Sequence, residues 1–135
     1  MKRAVQGACA ALVALSGCSL GGDHEARPVR GAPKAVAATI QALDQATRRR
    51  DFRMICDELF TAEARRRAGG KDCQRLLRSA AQDVRAPRIR IAGIRIEGDR
   101  ATVRVRSSAA NQRPIVDEVE VVRRGERYLI SALAD

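Results

Sequence analysis

The pattern of apolar and polar positions changes its period once along this chain. Between Lys34 and Arg50 apolar residues recur at spacings of three and four, which predicts an amphipathic helix that starts just after Pro33. After Pro87 apolar residues occupy every second position, which predicts half-buried strands. The order is therefore helices first and an antiparallel sheet second. The face of the first helix that is expected to be buried consists of Val36, Ile40, Leu43 and Thr47.

Three shorter helices are predicted between the first helix and Pro87. Asp51, Thr61 and Asp72 each stand where an N-cap is needed, because their side-chain oxygens accept hydrogen bonds from free helical N–H groups. The helix after Thr61 is expected to end at Gly69-Gly70. The apolar positions are Phe52, Ile55, Cys56 and Leu59 in the second helix, and Cys73, Leu76, Leu77 and Ala80 in the fourth.

Four antiparallel strands are predicted in the second half. The alternation shifts phase at Ala92-Gly93, as expected for a β-bulge, and Gly98-Asp99 and Gly125 indicate tight hairpin turns. A polar loop around Asn111 and Gln112 separates the two hairpins. The predicted inward positions are Ile89, Ile91, Ile94, Ile96, Ala101, Val103, Val105, Ile115, Val119 and Val121, and the last strand runs from Tyr128 to Leu133.

The N-terminal segment has the pattern of an export signal. Lys2 and Arg3 precede an apolar run, Ala4 to Leu15, that is too short to span a bilayer as a helix. Leu15-Ser16-Gly17-Cys18 resembles the lipobox of bacterial lipoproteins, in which the cysteine takes a diacylglyceryl group before cleavage. The resemblance implies a signal peptide over 1–17 and lipid attachment at Cys18. Residues 18–33 contain several glycines and prolines and no apolar period, which predicts a flexible tether, and residues 34–135 fit a single α+β domain.

We therefore expect a lipid-anchored protein on the extracytoplasmic side of the cell membrane. The alternative is an ordinary signal peptide that releases a soluble secreted product.

The four cysteines are consistent with export. Cys9 would be discarded with the signal and Cys18 would carry lipid, which leaves Cys56 and Cys73 for a disulfide in an oxidising compartment. A metal site or a redox pair is the competing interpretation. Both are disfavoured, because there is no CxxC motif and the single histidine, His24, lies in the tether. The sequence indicates no metal site and no cofactor.

The order of elements resembles the nuclear transport factor 2-like (SnoaL-like) superfamily, the cone-shaped fold shared by ketosteroid isomerases and polyketide cyclases. The residues that carry the resemblance are the helix from Lys34 to Arg50, the run from Asp51-Phe52 to Leu59-Phe60 and the closing hairpin through Arg123 to Leu129. It is most similar to the small exported bacterial lipoproteins of that superfamily. The resemblance implies helices packed into a curved four-stranded antiparallel sheet, with a cone that can hold a small molecule.

Enzymes of that superfamily place an acid or base and a hydrogen-bond donor inside the cone. In this chain the candidates are Asp117, on the face of Val119 and Val121, and Tyr128, the one phenol. The simpler interpretation places Asp117 in water at the end of its strand and Tyr128 in the core. We therefore expect a non-enzymatic binding or accessory module at the cell envelope, with a small-molecule isomerase, cyclase or carrier as the alternative.

Charge adds a second candidate surface. The chain has a net charge of +10, and loss of Lys2 and Arg3 with the signal leaves +8, all of it in the domain. Nucleic acid is a disfavoured partner, because two Phe and one Tyr are few aromatic residues for base stacking. Anionic lipid headgroups or wall polymers are the expected contacts. The anion-contacting candidates are Arg88, Arg90, Arg104 and Arg106, partly neutralised by Glu118 and Glu120.

Overall fold

The computed structural model describes residues 31–133, and in it the long first helix is confirmed. This helix, α1, spans Ala32–Arg49 and buries Val36, Ile40 and Leu43. It begins two residues before the expected domain boundary at Lys34, and Pro33 fits its first turn, where no hydrogen bond from the backbone nitrogen is needed. The predicted signal peptide, Cys18 and nearly all of the tether lie outside the described residues.

The predicted second helix is a π-helical turn, Met54–Leu59, in which the Phe60 N–H donates to the Ile55 carbonyl five residues earlier. The Asp51 carboxylate accepts from the Met54 N–H at 3.0 Å, as predicted for a capping residue. The wide turn buries Ile55 and Leu59 together with Cys56.

Two α-helices follow: α2, Ala62–Arg67, and α3, Cys73–Ala80, with a 3-10 turn, Gly70–Asp72, between them. Thr61 caps α2 as predicted, because its hydroxyl accepts from the Ala64 N–H at 3.1 Å. The capping role predicted for Asp72 is wrong. Asp72 stands at the N-cap position of α3 but makes no capping hydrogen bond, and its carboxylate binds the Arg75 guanidinium instead.

The predicted disulfide between Cys56 and Cys73 is present. Both cysteines are buried, and the bridge joins the π-helical turn to the first residue of α3. A loop of 17 residues is thereby closed in the helical half of the domain.

The sheet is an antiparallel meander of four strands in the order β1-β2-β3-β4. Its β1–β2 register shifts between Ile91 and Gly93, which confirms the predicted bulge. A second shift, between Glu120 and Val121, was not predicted. Both shifts bend the sheet around the helices. The strands are β1, Arg88–Glu97; β2, Arg100–Ser108; β3, Ile115–Arg124; and β4, Arg127–Leu133.

Helix α1 lies diagonally across the inner face of the sheet and is fixed at two points. The Thr39 hydroxyl donates to the Tyr128 carbonyl of β4 at 2.7 Å, and the Asp44 carboxylate accepts from the Ile89 N–H of β1 at 2.7 Å. The start of α1 therefore points to the end of the sheet that carries the Gly98 and Gly125 turns. None of the helices within residues 31–133 combines the length and apolar character that crossing a bilayer requires.

Candidate functional site

The concave side of the sheet contains a cavity of about 400 Å³. Its wall is mainly apolar, and the helices and the sheet both contribute to it. Polar side chains enter from Thr47, Ser107 and Asp117. A cavity of this size and character suits a small ligand with a large apolar surface. The apolar lining includes Leu43, Phe52, Leu77, Ile89, Val105 and Val119.

Asp117 lies on the cavity side of β3, as the alternation predicts. It is opposite Val105 in the β2–β3 register and is partly exposed. Ile115, two residues earlier, is on the same inward face, as predicted, but 56% of its surface is exposed and it is not part of the core. The sheet extends beyond the helices here, and Asp117 therefore stands where the cavity meets solvent.

Tyr128 does not join Asp117 in this cavity. It is opposite Arg123, six residues along β3 from Asp117, which corresponds to about 20 Å of extended strand. Its side chain is buried, and within residues 31–133 its hydroxyl has no hydrogen-bond partner. The cone thus brings a carboxylate to an apolar cavity, while the phenol belongs to the core.

The four arginine candidates share the outer face of the sheet, away from the helices. Arg90 is directly opposite Arg106, Arg88 is opposite Ser108 and Arg104 is opposite Gly93. All four side chains are exposed, and none forms an ion pair within the described part of the chain. They form a continuous basic surface on β1 and β2.

The two predicted neutralising glutamates occupy different positions in the register. Glu118 is directly opposite Arg104, whereas Glu120 is opposite Thr102. Over residues 31–133 neither carboxylate approaches an arginine within ion-pair distance.

In the same range no group of three or more Asp, Glu, His or Cys residues is placed to hold a metal ion.

A second recess, of about 490 Å³, lies between α2 and the outer face of β3 and β4. Arg66 and Arg67 of α2 form one side, and Arg100 and Arg124 of the sheet form the other. The sequence did not indicate this recess, because it forms only where α2 packs beside β4. That packing depends on a long-range contact, the hydrogen bond from the Thr61 N–H to the Ile130 carbonyl at 2.9 Å.

Among the solved structures similar to this chain are two NTF2-like proteins of unknown function. An NTF2-like protein of unknown function from Shewanella baltica OS155 aligns with a TM-score of 0.55 at 10% identity, over 75% of this chain and 89% of that chain. An NTF2-like protein of unknown function from Silicibacter pomeroyi DSS-3 aligns with a TM-score of 0.56 at 19% identity, over 75% of this chain and 91% of that chain. No protein-family profile and no curated protein sequence matches the chain. The similarity shows an NTF2-like fold, from which no activity follows.

Proposed function

We propose that this NTF2-like domain belongs to an exported lipoprotein, anchored through Cys18, and serves as a non-enzymatic binding module at the membrane surface. The observation that carries the proposal is the charge of the outer sheet face. Strands β1 to β3 present seven arginines and three glutamates on that face. The arginines are Arg88, Arg90, Arg95, Arg100, Arg104, Arg106 and Arg124, and the glutamates are Glu97, Glu118 and Glu120.

The Cys56–Cys73 disulfide supports the export half of the proposal. Structural disulfides persist in oxidising compartments and are rare in the cytosol. Both sulfurs are buried in the core, which is typical of a structural bridge rather than an exchanging redox pair.

The uncompensated arginines support contact with an anionic surface. Only Arg95 among the seven has an ion-pair partner within residues 31–133, namely Glu97 at 3.2 Å. Basic groups close to an anionic membrane contribute about 1 kcal/mol each, so a face with this excess binds appreciably once the tether holds it nearby. Anionic lipid is the partner we favour over wall polymers, because the anchor places the domain beside lipid.

Vesicle flotation tests this proposal. The mature chain, residues 18–135 carrying Cys18→Ala so that it bears neither the signal peptide nor the lipid, is expected to bind vesicles containing phosphatidylglycerol more strongly than pure phosphatidylcholine vesicles, with the difference lost at high salt. Arg90→Glu should weaken binding to anionic vesicles. Arg49→Glu, a matched charge reversal at the end of α1, should have little effect. Equal binding to both vesicle types at low salt would reject the proposal.

The cavity beside Asp117 supports a second candidate, a small-molecule carrier or a cone enzyme. Its apolar wall favours an apolar ligand, and Asp117 supplies one polar or proton-accepting contact. Because Tyr128 is elsewhere, any chemistry in this cavity would depend on Asp117 without the phenol.

Binding of the neutral fluorescent probe N-phenyl-1-naphthylamine tests the second candidate. Ala81 lines the cavity, so Ala81→Phe is expected to fill it and abolish probe fluorescence. Ala110→Phe, in the exposed loop before β3, is the matched control. Unchanged probe binding by Ala81→Phe would show that the cavity is not the ligand site.

A further inference from the structure

The recess between α2 and the outer sheet face has the chemistry of an anion site with an apolar floor. Arg66, Arg67, Arg100 and Arg124 surround it, and Val122 and Leu129 lie at its base. Val122 is buried and Leu129 partly buried, and the two are opposite each other in the β3–β4 register. Guanidinium groups bind phosphate through paired, charge-assisted hydrogen bonds.

The four arginines are free to accept an anion. Within residues 31–133 none of them forms an ion pair, and Arg66 and Arg100 make no side-chain hydrogen bond. Arg67 donates to the Ser131 carbonyl and Arg124 to the Arg123 carbonyl. Both bonds use one nitrogen and leave other N–H groups available.

Two carboxylates also line the recess, Glu63 of α2 and Glu120 of β3. Four arginines and two glutamates leave an excess of two positive charges. Over residues 31–133 neither glutamate is paired with an arginine. The recess therefore favours a ligand with one or two negative charges over a zwitterion or a cation.

The recess also lies at the end of the domain from which the chain leads to the anchor. Thr39 contacts Tyr128, and Gly31 lies eight residues earlier along α1, or about 12 Å further towards the Gly98 and Gly125 turns. Arg100 starts β2 and Arg124 ends β3, so both stand next to those turns. Twelve residues of the predicted tether between Cys18 and Gly31 reach about 20 Å, which keeps this end of the domain close to the bilayer.

We propose that this recess seats the headgroup of one anionic phospholipid, with its phosphate between Arg100, Arg124 and Arg66 and its glycerol and first methylenes against Val122 and Leu129. The inference rests on the proposed function, because it takes the ligand from the membrane to which the chain is anchored. It goes further by assigning a discrete site within a broadly basic face.

Monomeric lipid separates this site from general surface attraction. The mature chain, residues 18–135 carrying Cys18→Ala, is titrated, below the critical micelle concentration, with dihexanoyl phosphatidylglycerol, dihexanoyl phosphatidylcholine and inorganic phosphate, and binding is followed by calorimetry. Phosphatidylglycerol is expected to bind about tenfold or more tightly than phosphatidylcholine, and also more tightly than phosphate, which lacks the apolar contact.

Variants locate the site. Arg100→Gln with Arg124→Gln should weaken phosphatidylglycerol binding by about tenfold or more. Arg66→Gln should weaken it too, and because Arg66 has no protein partner in residues 31–133 that change carries little risk to folding. Arg49→Gln with Arg85→Gln removes the same charge far from the recess and should leave binding unchanged.

Three results would overturn the inference. If Arg88→Gln with Arg90→Gln weakens binding as much as the recess variants do, positive charge alone is sufficient and no discrete site is needed. If inorganic phosphate binds as tightly as phosphatidylglycerol, the recess is a site for free phosphate. If neither phosphate nor phosphatidylglycerol binds, the recess is not a binding site. Vesicle binding that persists in any of these cases would leave the proposed function standing, so the two failures are distinguishable.

Discussion

Arg90 of β1 lies directly opposite Arg106 of β2 in the antiparallel register. Like charges placed directly across a strand pair destabilise the sheet, whereas an opposite pair at the same place would contribute favourably. The described residues place no carboxylate within ion-pair distance of either guanidinium. The repulsion between these two arginines lowers the stability of the sheet, as expected for a surface retained for binding.

Replacing one member of this pair should stabilise the fold. Arg90→Glu is expected to raise the free energy of unfolding by roughly 0.5–1 kcal/mol, because it converts a repulsive cross-strand pair into an attractive one. Urea unfolding measures the change. Arg95→Glu, which places a carboxylate beside Glu97 in exchange for an ion pair, should have the opposite sign. Destabilisation by Arg90→Glu would contradict the proposed cost.

The disulfide should account for a large share of the domain's stability. Changing Cys56 and Cys73 to serine is expected to lower the free energy of unfolding by about 3 kcal/mol, the chain-entropy effect of opening a loop of 17 residues. The control is the wild-type chain unfolded with and without reductant. Reduction removes the same bridge as the double substitution, so the two should lower the free energy of unfolding by similar amounts. A loss well below 1 kcal/mol would show that the helical half keeps its packing without the bridge.

Tyr128 should behave as a core residue. Its buried hydroxyl lacks a partner within residues 31–133, so Tyr128→Phe removes an unsatisfied polar group and is expected to leave stability unchanged or raise it by about 1 kcal/mol. Tyr128→Ala should cost about 3–5 kcal/mol through the cavity it leaves. A clear loss of stability in Tyr128→Phe would reveal a hydrogen bond to the hydroxyl.

Asp44 should be the key contact between α1 and the edge of the sheet. Asp44→Ala leaves the Ile89 N–H without its acceptor and is expected to lower the free energy of unfolding by about 1–3 kcal/mol. Asp44→Asn keeps an acceptor oxygen and should cost less, although it loses the ion pair with Arg48 at 3.2 Å. Equal losses in the two variants would assign the effect to charge rather than to the hydrogen bond.

The features that sequence predicted correctly are local ones. The Gly93 bulge, the Gly98 and Gly125 turns and the caps at Asp51 and Thr61 each depend on residues within a few positions of one another. The disulfide followed from the small number of cysteines rather than from geometry. The alternation of β2 and β3 was sufficient to place Arg104 and Glu118 on the same face of the sheet.

The features that sequence missed depend on contacts between distant segments. Phe60 forms a parallel bridge with Ile130, and this contact positions α2 beside β4 and creates the arginine-lined recess. The separation of Asp117 from Tyr128 depends on the register of β3 with β4, which alternation alone does not fix. Asp72 is not a cap because it ends the 3-10 turn with helical backbone angles, whereas a capping residue is non-helical, and its carboxylate binds Arg75 instead.

The proposed function depends on a lipid on Cys18 that holds the domain at a membrane. Mass spectrometry of the mature protein, recovered from the membrane fraction of the cells that produce it, tests this most directly. The predicted result is a chain that begins at Cys18 and carries the added mass of a diacylglyceryl group on that residue. An unmodified Cys18, or a mature chain that begins at another residue, would contradict the claim.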